Sequence, residues 1–138
     1  MKPVPTGTKG SFEKIAIDAD LASVLDSSLA SVLSTPTMIG MMELAAIAAL
    51  SRYLDPGESS VGMSIEVQHV AATPPGHRVR AEAEVTKADG RRFEFKVRAF
   101  DEVEEIGSGL HRRAVIDSAK FKDRVKAKAK SRASEVTR

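Results

Sequence analysis

The spacing of apolar side chains changes period once along the chain. From Met38 the run MIGMMELAAIAALSRYL is apolar on nearly every side, which predicts a helix buried all round rather than one lying on a surface. It ends at Asp55-Pro56-Gly57, because Pro56 has no N–H to continue the ladder and biases the residue before it toward extended geometry. After that point the period is two. Val61, Met63, Ile65, Val67 and His69 fall on one face of a strand, with Gly62, Ser64, Glu66 and Gln68 on the other.

Two further strands alternate in the same way. Val79, Ala81, Ala83 and Val85 interleave with Arg78, Arg80, Glu82 and Glu84; Phe93, Phe95, Val97 and Ala99 interleave with Arg92, Glu94, Lys96 and Arg98. Asp89-Gly90 between them predicts a tight hairpin, since primed turns need residues that accept positive φ. A last strand over Glu105 to Ile116 contains Gly107 and Gly109, which suggests a bulge or a close backbone approach. Ahead of the helix, residues 11 to 17 (SFEKIAI) read as a short strand, and the Ser- and Asp-rich stretch that follows, up to Thr35, as a loop or short helix. One helix and one sheet face must cover each other. The expected class is therefore α+β, an antiparallel sheet wrapped around one long central helix, which is the hot-dog fold.

Length and composition add bounds to that picture. With 138 residues and 42% hydrophobic content, one domain over residues 1–138 with a real core is expected. No leader pattern and no long apolar run occurs, so neither secretion nor a membrane span is supported and a cytoplasmic protein is the expectation. Cysteine is absent, which excludes thiolate catalysis and leaves oxygen and imidazole chemistry. Charge is uneven. Residues 117–138 carry eight cations against three carboxylates, a net of +5, so the remainder of a chain of formal charge +2 holds about −3. Such a basic tail reads as a solvated helix, with attraction of a polyanionic ligand as the second reading. It belongs to no groove-reading motif and offers only Phe121 for stacking, so no nucleic-acid partner is expected.

Two residues break the apolar pattern. Glu43 is the single charged side chain between Met38 and Leu50, and a carboxylate there must be paired or line a cavity. His69 shares the strand face that has to cover the helix, where a histidine is either a satisfied core residue or a functional one. Together they suggest a hydrogen-bonded acid/base pair. Thr35 precedes Pro36 and reads as the helix N-cap, with a hydroxyl that could also face a substrate. Eight residues separate Thr35 from Glu43, roughly 12 Å of rise, so they cannot meet one carbonyl within one protomer unless the helix starts later. The alternative is a site completed by a second subunit.

The segments GMMELAA, YLDPGE, VGMSIEVQHVAATPPG and DEVEEIGSGLHRRAVID resemble the fluoroacetyl-CoA thioesterase family of hot-dog proteins over about Leu33 to Phe121. The resemblance implies acyl-CoA thioester hydrolysis by a homodimer with no cofactor and no metal. It implies a catalytic set on Thr35, Glu43 and His69, and substrate contacts at Gly62 and Arg113. The family's aromatic lid side chains, which precede the catalytic threonine, match positions near Asp26 and Leu29, so no aromatic gate is expected. Two other readings use the same fold: an enoyl-thioester hydratase or dehydratase, whose usual paired motif is missing, and a non-catalytic acyl-CoA or small-ligand binding module.

Overall fold

The computed structural model describes residues 1–136; Arg138, counted above in the basic tail, lies outside them. Strand β1 (Lys9–Ile15) is followed by a 3-10 turn at Asp18–Asp20, a short helix α1 (Ala22–Leu25) and the long helix α2 (Thr35–Ser51). Strands β2 (Glu58–His69), β3 (Arg78–Asp89), β4 (Arg92–Phe100) and β5 (Glu105–Asp117) come next, and helix α3 (Ser118–Val136) carries the basic segment. The strands form one antiparallel sheet in the order β1-β3-β4-β5-β2. Its concave face wraps α2, which gives the hot-dog arrangement.

Alternation fills that face as the period predicts. Val79, Ala81, Ala83 and Val85 of β3, and Phe93, Phe95, Val97 and Ala99 of β4, are buried against Met38, Met41, Met42, Ala45, Ala46, Ala49 and Leu50 of α2. Each large side chain so buried contributes about 1.5–3 kcal/mol relative to exposure. The β3–β4 connection is the expected tight hairpin: Asp89 pairs with Arg92, and Gly90 takes the only left-handed φ in the loop, +60°. Glycine first and an ordinary residue second is the type II′ pattern.

Three expectations are corrected. The helix is not buried all round: Leu44 and Ile47 are 43% and 40% exposed and lie on one stripe. The helix also closes earlier than Asp55, with Arg52 as C-cap, because the Tyr53 carbonyl is taken by the Lys2 N–H at 2.7 Å and pulls the chain out of helical geometry. Strand β1 sits two residues earlier than 11–17. The Asp20 carboxylate accepts the Ile17 N–H at 2.9 Å and starts a turn there, while Lys9 and Gly10 pair with Glu84 and Ala83.

A fourth correction matters most for function. Gly62 pairs with Arg113, but Ser64 pairs with Arg112, so Met63 is an extra residue outside the ladder. Such a bulge reverses the side-chain phase of everything before it relative to everything after it. Ile65, Val67 and His69 therefore share the inner face with Gly62, whereas Met63 is exposed. In β5 the two glycines serve close approach: a Cβ on Gly107 would meet Met38 Sδ at 2.6 Å, and one on Gly109 would meet the backbone of Glu66 and Val67.

Gly10 sets the depth of α2 in the sheet. A Cβ there would collide with the Ala45 carbonyl and the Ala49 backbone nitrogen, both held rigidly in the helix. Gly10→Ala is accordingly expected to destabilise the fold by about 1–3 kcal/mol. Thermal unfolding checks this, and an unchanged midpoint would mean that helix and strand can separate at little cost.

Candidate active site

The candidate side chains come from α2, β2 and β5, and they form two clusters. At the start of α2, the Ser34 hydroxyl caps the helix by accepting the Thr37 N–H at 3.2 Å. Ser34, not Thr35, is thus the N-cap, and Thr35 is the first helical residue with Pro36 behind it. That leaves the Thr35 hydroxyl uncommitted to capping, and its Oγ1 lies 2.8 Å from His69 Nδ1. The pair opens on a hollow of about 320 Å³ walled by Ala22, Val32, Ser34 and Ala72. Burial pushes the His69 imidazole below its ordinary range, with the Ala71 carbonyl acting weakly the other way. Nε2 is buried and meets no hydrogen-bond partner among the described residues; a neutral ring with its proton there has an Nδ1 lone pair ready to accept the Thr35 hydroxyl.

The second cluster lies two helical turns on. Glu43 Oε2 accepts from Arg113 Nη1 at 3.1 Å, and its partner is thus Arg113 and not the His69 expected from strand alternation. Arg113 is only 4% exposed while the Glu43 side chain is 40% exposed. The guanidinium is pinned further by Ser60, whose Oγ accepts from Nε at 2.8 Å and whose carbonyl accepts from Nη2 at 3.0 Å. Burial draws Arg113 below the usual guanidinium range, and Glu43 opposes that. Gly62 is small for a reason: a Cβ there would stand 2.7 Å from Glu43 Oε2. Glu43, Gly62, Met63, Ser64 and Ile65 line an open hollow of about 220 Å³.

The structure thus brings Thr35 to His69, and Glu43 to Gly62 and Arg113, but holds the two sets apart. Gly62 and His69 sit seven residues apart on one strand, roughly 20 Å. Arg113 faces inward and gives four of its five N–H groups to Ser60, Glu43 and His111. A larger hollow of about 400 Å³ lies elsewhere, beside Lys9, Arg80, Glu82 and Glu84. Its walls are tied up in the pairs Lys9–Glu84 and Arg80–Glu82, and it holds none of these groups.

One residue of the second cluster escaped the reading of the sequence. His111, 1% exposed, stands 3.1 Å from Arg113 Nη1 through Nε2 and 2.8 Å from the Ser64 carbonyl through Nδ1. Alternation in β5 was the available signal, since it puts His111 and Arg113 on one face. Near the first cluster, Asp26 accepts the Ser28 N–H and hydroxyl at 2.9 and 2.8 Å, and Leu29 is half exposed, so neither lid position carries an aromatic ring.

A family model described as fluoroacetyl-CoA-specific thioesterase matches residues 17–119. A fluoroacetyl-CoA thioesterase from Streptantibioticus cattleyicolor is 50% identical over 97 residues, 70% of each chain. Among solved structures, a phenylalanine-to-alanine variant of the fluoroacetyl-CoA-specific thioesterase, in complex with fluoroacetate and CoA, is 39% identical. It superposes with a TM-score of 0.81 over 85% of this chain and 98% of that one. A thioesterase superfamily member from Thermus thermophilus is 28% identical, with a TM-score of 0.89 over 98% and 99% of the two chains. With the family model spanning most of the chain and half of the aligned residues shared with a named relative, the chain belongs to the fluoroacetyl-CoA-specific thioesterase family.

Proposed function

We propose that this protein hydrolyses short-chain acyl-CoA thioesters in a cytoplasmic homodimer whose active sites are each built from two protomers. The observation that carries this reading is the placement of the Glu43 carboxylate at Gly62 and of the Thr35 hydroxyl at His69, well separated along β2, a strand paired only on its β5 side among the described residues. Two such edges pairing antiparallel about a two-fold axis near residues 65 and 66 would set Gly62 and Glu43 of one protomer beside His69 of the partner subunit. The same contact would cover the exposed stripe of α2 that holds Leu44 and Ile47. The substrate class follows from the relatives, which act on or bind fluoroacetyl-CoA, fluoroacetate and CoA. Without an aromatic lid at Asp26 and Leu29, acceptance of several short acyl groups is expected rather than selection for fluorine.

In the assembled site the thioester carbonyl lies between the two clusters. Arg113 holds Glu43 Oε2, so Oε1 faces the substrate. Glu43 either removes a proton from the water that attacks the carbonyl carbon or attacks that carbon itself to give an anhydride that water then opens. The developing oxyanion takes a backbone N–H near Gly62, while the Thr35 hydroxyl donates to His69 Nδ1 and orients the ring. Collapse breaks the carbon–sulfur bond, and His69 carries the proton to the departing thiolate, leaving free acid and CoA. The cations of α3 would draw the CoA phosphates toward the protein. After a single turnover in ¹⁸O water, label in the Glu43 carboxylate identifies an anhydride that water opens at the Glu43 carboxyl carbon, since the general-base route leaves Glu43 unlabelled.

Glu43→Gln keeps the volume and removes the carboxylate, so a folded variant is expected to lose about 10² to 10⁴ of turnover. A folded Glu43→Gln enzyme keeping more than about a tenth of wild-type turnover would reject the catalytic role. Shared sites make a sharper demand. Co-refolding inactive Glu43→Gln with inactive His69→Asn should recover about a quarter of wild-type activity, because half of the dimers then hold one intact site. No recovery in verified mixed dimers would exclude a site shared between protomers.

The pH profile follows from the direction of the His69 shift. Its imidazole must be neutral to accept the Thr35 proton, and burial favours the neutral form, so the site is armed at pH 7. Activity is expected to hold as pH falls to the ordinary histidine value of about 6.5 and to fail only below it. A loss already half complete above that value would contradict the assignment.

A further inference from the structure

His111 is an ionisable group fully enclosed beside the site, and the proposed reaction leaves it without a role. Its hydrogen bonds settle its state. Arg113 Nη1 can only donate, so His111 Nε2, 3.1 Å away, must present a lone pair. The Ser64 carbonyl can only accept, so Nδ1, 2.8 Å away, carries the proton. The ring is therefore the neutral Nδ1–H tautomer. The same Nη1 supplies its other N–H to Glu43 Oε2. A continuous chain runs from the Ser64 carbonyl beside the β2 bulge, through His111 and Arg113, to the carboxylate.

We propose that His111 is a positioning residue for Glu43: as a neutral acceptor it fixes the rotation of the Arg113 guanidinium, and so the direction in which Glu43 Oε1 faces the thioester. The charged groups facing it are Arg113 from its own strand and Glu43 from α2; β4 presents the Phe95 ring, centred 6.1 Å away, and β2 presents Gly62 and the Ser64 carbonyl. Protonation of Nε2 would set an imidazolium against the guanidinium, break that contact and release Glu43. Burial and Arg113 both resist this, which keeps the acceptor in place at neutral pH. The inference rests on Glu43 being the catalytic carboxylate.

The test uses two variants of the full chain. His111→Leu fills the space but cannot accept from Arg113; it is expected to lower kcat about 10- to 100-fold with KM within about threefold, since misaim of a reacting group costs that much. His111→Gln offers an amide oxygen to Arg113 and does not titrate, so it should restore kcat to within about threefold of wild type. Its acid limb should also be shallower, because protonation of His111 no longer adds to that of His69. A folded His111→Leu enzyme with wild-type kcat, or a Gln variant as impaired as the Leu one, overturns the proposal. If His111→Leu does not fold, the acid limb of His111→Gln decides, and a limb identical to wild type overturns it. An active Glu43→Gln enzyme would instead remove the parent reading, whereas an inactive Glu43→Gln beside a fully active His111→Leu removes this one alone.

Discussion

A guanidinium enclosed in the concave face of a sheet cannot stand alone. Taking Arg113 out of water costs several kcal/mol even after relaxation, and the cost is offset only if a carboxylate and further acceptors meet it with good geometry. Glu43, Ser60 and His111 supply them. Much of the surrounding structure follows from that requirement. Helix α2 must be rotated so that its one carboxylate reaches β5, the facing residue of β2 must be glycine, and the strand must break phase beside it. The Met63 bulge does the last of these, turning Gly62 inward toward Glu43 while Ile65, Val67 and His69 continue the inner face beyond it. Removing Glu43 would leave the enclosed guanidinium without its counter-charge, so the pair links the fold to the proposed chemistry.

Legibility in the sequence divides along the same line. Where a side chain's place depends on its own element's period, the reading matches: the inner faces of β3 and β4, the Asp89-Gly90 hairpin and the close approaches at Gly107 and Gly109. Where it depends on which element lies opposite, period is silent. Glu43 and His69 each stand out as polar residues on apolar faces, and pairing them was the economical inference. Their separation along β2 is a matter of how far apart two positions on one strand fall, and only the register between α2 and β2 reveals it. The bulge is invisible to alternation for a related reason, because Gly62, Met63 and Ser64 tolerate either phase. Resemblance located Thr35, Glu43, His69, Gly62 and Arg113 as residues, but it did not divide them into two clusters.

The division also explains why α2 misled the reading of burial. Seventeen residues of nearly uniform apolarity cannot all face one sheet, which covers about half of a helix's circumference. The stripe with Leu44 and Ile47 is left exposed, and β2 ends the sheet with an open edge. Apolar surface and open ladder are both liabilities for a protein alone in solution. Ile47 lies one helical turn from Glu43, whose carboxylate is the more exposed member of its ion pair.

A helix read as buried all round, a strand edge without a neighbour among the described residues and a candidate catalytic set divided by roughly 20 Å would all be answered by one contact. Each would be a defect in a self-sufficient protomer, and a single two-fold contact along β2 would remove all three. Catalysis would then be tied to assembly by construction: the carboxylate acquires its imidazole only where the strand edge acquires its partner. In such an arrangement the free protomer holds a CoA thioester next to an acid or next to a base but never between them, so hydrolysis waits on the dimer.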